Sequence, residues 1–203
     1  MRLENASHQP RRLFGSNSWL AVATALILAP VLASSAGCSG RPGETQETLS
    51  EADLQMVHSN LLPSEPAPKN TVNADLDGKL VYLGSDFQPA VAAPGQQVHV
   101  TNYWKAVQPV GEGWRIFTHL EGPNHHGFVN DDHGAIAGKY PVEQWKAGEI
   151  IRDERTITVP ANWSQSALLI YVGAWKGQSR LSVKSGPSDG SNRVLAATIP
   201  IKK

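Results

Sequence analysis

The feature that most constrains this chain is a run of period-two alternation that begins near residue 71 and is never replaced by a helical period. Val98, Val100 and Trp104 alternate with Gln97, His99, Thr101 and Tyr103, and Asn102 is the one polar interruption on the apolar side. Trp114, Ile116 and Leu120 alternate with Arg115, Phe117 and His119. Ile151, Ile157 and Val159 share a parity opposed by Arg152, Glu154, Thr156 and Thr158. Side chains on a strand point alternately to its two faces, so each run builds one apolar and one polar surface. Leu168 to Val172 is apolar on both parities and predicts a central strand covered on both sides. Shorter strands are expected at Leu80–Leu83, Arg180–Lys184 and Val194–Ile201, with Gly/Pro-rich turns at 93–95, 111–113, 146–148 and 186–190. Seven or eight strands at this spacing predict an all-β domain, an immunoglobulin-like or jelly-roll-type β-sandwich spanning 71–203.

The N-terminus reads differently. Arg2, Arg11 and Arg12 form a basic start, Leu20 to Leu32 is an uncharged apolar run, and Ala33 to Gly37 are small residues suited to processing. Cys38 follows, the only cysteine among 203 residues, so it can make no internal disulfide. Ser35-Ala36-Gly37-Cys38 resembles the bacterial lipobox, with Ser35 where Leu is usual. That resemblance implies residues 1–37 as signal peptide, lipidation at Cys38 and a lipid-anchored envelope protein. Ser39 after the cysteine, by the same sorting rules, implies the outer membrane. Two alternatives are an uncleaved anchor from Trp19 to Gly37 and release after Ala36; Pro30 and the small residues disfavour a permanent span.

Residues 38–70 read as a tether, with Pro63, Pro66 and Pro68 favouring extended backbone. Ser50 with Asp53 forms a capping signal for a short helix over 51–59, on which Leu54, Val57 and Leu61 share a face.

Charge excludes one class of partner. Eighteen basic and 18 acidic residues balance, which gives no basic patch for nucleic acid.

Three patterns invite chemistry. His119, His125, His126, Asp131, Asp132 and His133 are the ligand types for a divalent metal, but their spacing fits no template and the 122–138 stretch reads as a surface loop. No metal or other cofactor is expected. Gly186-x-Ser188-x-Gly190 copies the hydrolase elbow literally, yet it lies between strands with no later histidine and reads as a hairpin loop. Asp153 and Glu154 are adjacent on a strand, so they face apart and cannot flank one glycosidic bond; with Arg152 and Arg155 beside them they read as solvated or cross-strand ion pairs. The aromatics remain. Trp145, Trp163, Tyr171 and Trp175 are the candidate glycan or partner contacts: Trp145 and Trp163 adjoin turns that could expose them, and Tyr171 and Trp175 share a parity, so that one of them reaches a partner surface.

Asn102-Tyr103-Trp104-Lys105-Ala106, Ile116-Phe117-Thr118-His119-Leu120, the run Tyr140 to Asp153, Tyr171-Val172-Gly173-Ala174-Trp175 and Arg180-Leu181 come in a familiar order. Together they resemble extracytoplasmic β-sandwich domains appended to bacterial multi-spanning glycosyltransferase-like membrane proteins. The resemblance implies a sandwich near envelope glycans and no catalysis, because transfer in those proteins belongs to the membrane-embedded part. The expectation is a non-catalytic envelope lipoprotein that binds a glycan or an envelope protein. The alternatives are a structural or assembly accessory without a small ligand and, further off, a metal-dependent hydrolase at the His/Asp loop. The hydrolase requires His119, His133 and Asp132 to converge.

Overall fold

Strand-period sequence after residue 71 builds two antiparallel sheets. The computed structural model describes residues 48–202. In chain order these form α1 (Glu51–Asn60), β1 (Leu61–Leu62), β2 (Asn70–Leu76), β3 (Leu80–Gln88), β4 (Gln97–Ala106), β5 (Arg115–Glu121), β6 (Val129–Asn130), β7 (Ile150–Thr158), β8 (Ala167–Lys176), β9 (Ser179–Arg180), β10 (Val183–Ser185) and β11 (Val194–Pro200). The first sheet runs β1-β7-β4-β3-β2-β10; the second runs β11-β8-β5-β6, with β9 paired to β8. Seven of the strands are seven residues or longer and make the all-β sandwich that the alternation foretold.

The core lies between the sheets. Val98, Val100, Trp104 and Ala106 of β4 face Ile116 and Leu120 of β5 and Leu168, Ile170, Val172 and Ala174 of β8 within one buried cluster. Each large apolar side chain removed from water contributes roughly 1.5–3 kcal/mol, which makes this cluster the main stabilising element. Tyr82 meets Trp104 edge-on at 4.7 Å, and Trp104 meets Trp145 at 6.2 Å. The polar interruption at Asn102 is 2% exposed and accepts a 2.8 Å bond from the Tyr82 hydroxyl, so this polar pair enters the core satisfied.

The segment read as tether is in part ordered and paired. The cap at the start of α1 is reciprocal: the Asp53 amide donates to Ser50 Oγ at 3.2 Å and the Ser50 amide donates to Asp53 Oδ2 at 3.1 Å. Leu61 and Leu62 then pair with Ile151 and Ile150 of β7. Arg152 Nε donates to Asn60 Oδ1 at 3.0 Å, which holds the end of the helix to the sheet. Val57 and Leu61 pack on the core, whereas Leu54, expected on the same face, is 56% exposed.

Three sequence expectations need correction. Residues 122–138 are not simply a surface loop: Ala135 and Ile136 are buried, because the loop crosses from β6 to the first sheet and is anchored there by Asp153. Asp153 is therefore fully buried rather than solvated. The stretch at 186–190 is no hairpin: β10 pairs with β2 in the first sheet and β11 with β8 in the second, so it carries the chain between sheets. Gly186 has φ +100°, and a Cβ there would come within 2.6 Å of the Ala74 Cβ, so this crossing needs glycine twice over.

Candidate functional site

The outer face of the second sheet carries what the core does not use. Along β5, Ile116 and Leu120 enter the core, so Phe117, His119 and Glu121 point outward. Along β8 the outward residues are Leu169, Tyr171, Gly173 and Trp175. The register places Phe117 beside Gly173, His119 beside Tyr171 and Arg115 beside Trp175. A Cβ on Gly173 would meet the Phe117 ring at 2.5 Å, so the missing side chain is what lets that ring lie flat across the sheet.

On this face the aromatic groups form two rows. His119 lies between Phe117 at 4.8 Å and Phe128 at 5.0 Å, and the Arg180 guanidinium covers Phe117 at 5.0 Å. In the second row Arg193 lies over Tyr171 at 4.5 Å, with the His125 ring beyond at 6.5 Å. Arg193 is itself buried and bonded to Glu121 Oε1 at 2.5 Å and Asp189 Oδ2 at 2.6 Å. That guanidinium holds the Glu121 carboxyl below the ordinary carboxylate range. Burial works against the Arg193 charge, but the Glu121 and Asp189 carboxylates outweigh it and raise its pKa. This second row is closed by its own ion pairs. Tyr171, 6% exposed, is a floor rather than a contact surface.

A groove opens beside the first row. Phe117, His119 and Trp175 line this groove of about 470 Å³, walled by Asn130 and Asp132 on one side and by Gln178, Arg180 and Asn192 on the other. Asp132 is positioned by the chain: its Oδ1 accepts from the Thr118 amide at 2.9 Å, and its own amide donates to Asn130 Oδ1 at 2.8 Å. His119 is 9% exposed, its Nδ1 has no partner, and its Nε2 lies 3.9 Å from Asp132 Oδ1, too far for a hydrogen bond. Burial pushes the imidazole pKa down, which keeps the ring neutral at pH 7. The Trp175 Nε1 is likewise without a partner.

The other sequence candidates sit elsewhere. Trp145 and Trp163, candidate contacts beside turns, are 2% and 7% exposed core residues. Their indole N–H groups donate to the carbonyls of Tyr140 at 2.9 Å and Ala167 at 3.2 Å, so a turn nearby exposes neither ring. His133 Nε2 pairs with Asp153 at 2.7 Å, His125 Nδ1 with Glu121 at 2.7 Å, and His126 is exposed. His119, His133 and Asp132 do not gather around a point, and no three metal-ligating side chains do so among the described residues. Asn130, Gln178, Arg180 and Asn192 were not among the site residues the sequence suggested. The usable signal was the outward parity of Phe117 and His119.

Cys38 lies outside the described residues. No helix among them is long and apolar enough to cross a membrane.

The fold and groove define a two-sheet β-sandwich with a polar, aromatic-floored cleft on an outer sheet face. No protein family and no curated protein matches the chain. Among solved structures, one titled "Crystal structure of the C-terminal domain of wzt" is similar over 73% of this chain and 85% of that one, at 9% identity and a TM-score of 0.41. At that distance the likeness carries no argument, and the sandwich rests on the two sheets themselves.

Proposed function

We propose that this protein is a non-catalytic, lipid-anchored protein of the cell envelope whose sandwich binds a glycan in the groove between β5, β8 and β9. One observation carries the reading: the half-buried Trp175 faces an open groove edged by amide, carboxylate and guanidinium groups. A pyranose has an apolar C–H face and a rim of hydroxyls. It matches an aromatic floor with hydrogen-bonding walls, the usual make-up of a small-molecule cleft. The lipid anchor is supported by the lone cysteine at position 38 after a small-residue stretch.

Binding of the purified full-length protein to immobilised oligosaccharides, neutral and acidic, tests the reading. Trp175→Ala removes the stacking surface, so affinity should fall at least about tenfold, or ~1.4 kcal/mol. Absence of binding by the wild type, or equal binding by the variant, would count against the groove.

A further inference from the structure

The register places an arginine on each side of Trp175. Arg115 of β5 and Arg180 of β9 are both direct neighbours of Trp175 across the sheet, so all three side chains rise from the same face. The remaining arginines of the described residues are neutralised locally: Arg152 by Glu154, Arg155 by Asp131, and Arg193 by Glu121 and Asp189. Arg115 and Arg180 have no carboxylate within ion-pair distance among the described residues, and both are exposed.

Arg180 is moreover held in place. Its guanidinium rests on the Phe117 ring, and Nη1 donates to the Ser191 carbonyl at 3.0 Å. A guanidinium carries five N–H donors in a rigid fork, and Arg180 uses one of them on the protein. A cation fixed at a groove wall with its donors unspent is prepared for a bidentate oxyanion. Asp132, the acidic group of the groove, belongs to the opposite wall and is engaged by the Thr118 amide. The groove is thus polarised, basic at the β8–β9 end and acidic at the β6 end.

Resting on the glycan reading above, we infer that the groove selects a saccharide bearing an oxyanion, a carboxylate or a phosphate, which Arg180 pairs with while a ring stacks at Trp175. Arg115 adds a second charge on the other side of Trp175. The anionic group sets the direction in which the chain of sugars lies, its charged residue at β9 and its hydroxyls toward Asn130 and Asp132.

Full-length protein is titrated with three probes: tetragalacturonate, its methyl ester, and an oligosaccharide ending in mannose 6-phosphate. The ester keeps the rings and removes the charge. The uronate or the phosphate probe should bind at least tenfold more tightly than the ester, and whichever binds more tightly identifies the oxyanion. Arg180→Gln should abolish that preference, bringing the charged probe to the level of the ester, while the melting temperature stays that of the wild type. Equal binding of all three probes would overturn the oxyanion inference and leave the glycan reading standing. A preference that survives both Arg180→Gln and Arg115→Gln would also overturn it. No binding by any probe would overturn both.

Discussion

The loop that continues from Asn130 and Asp132 is pinned to the first sheet by one buried carboxylate. Asp153 of β7 is 0% exposed; its Oδ2 meets His133 Nε2 at 2.7 Å and its Oδ1 accepts from the Ile136 amide at 2.8 Å. Asp153→Ala removes both bonds and leaves the Ile136 amide and the His133 ring facing an apolar gap. A hydrogen bond to a charged group contributes about 1.5–3 kcal/mol, and removing one member of a buried pair costs about 3–5 kcal/mol. With two partners lost, the expected destabilisation is about 3–5 kcal/mol, a large share of the 5–15 kcal/mol typical of a domain. Urea unfolding followed by tryptophan fluorescence measures it. His133→Ala leaves the buried Asp153 carboxylate with the Ile136 amide alone and should cost a comparable amount, and the double variant should fall short of the sum of the two by about 0.5–3 kcal/mol. A cost below about 1 kcal/mol for Asp153→Ala, or strict additivity, would refute the idea that this pair pins the loop.

Three further outcomes follow from particular residues. Burial lowers the His119 pKa in the folded protein, so the unfolded chain takes up the proton first; wild type should therefore lose stability relative to His119→Gln as pH falls below about 6.5, and an unfolding difference constant from pH 8 to pH 5 would contradict this. Trp145→Ala removes a 2% exposed indole from the core and should cost about 3–5 kcal/mol in unfolding free energy, whereas a surface role would leave stability nearly unchanged. Cys38→Ser should abolish palmitate labelling and shift the protein from membrane to soluble fractions; retention in the membrane would point to an uncleaved helix instead.

Much of the sandwich could be read from periodicity, since β4, β5 and β7 each state their faces in sequence. β2 could not: it is polar at Asn70, Thr71 and Asn73, and Asn73 takes φ 53° at an irregularity that breaks its alternation. The two- and three-residue strands are too short to show any period. Among the aromatics, Trp145 and Trp163 misled because proximity to a turn says nothing about where the indole N–H finds a partner. Here both N–H groups found backbone carbonyls, which allowed the rings to enter the core. Parity placed Tyr171 and Trp175 on one face but did not tell which of the two stays accessible. The groove as a whole was not legible, because Asn130, Arg180 and Asn192 come from three separate segments that meet only through strand pairing.

The most direct test of the central claim is hydrogen–deuterium exchange of the full-length protein with and without a bound oligosaccharide. Protection gained on binding should fall on β5, on β8–β9 and on the segment around Asn130 and Asp132. Protection confined to the first sheet, to α1 or to no segment at all would contradict that claim.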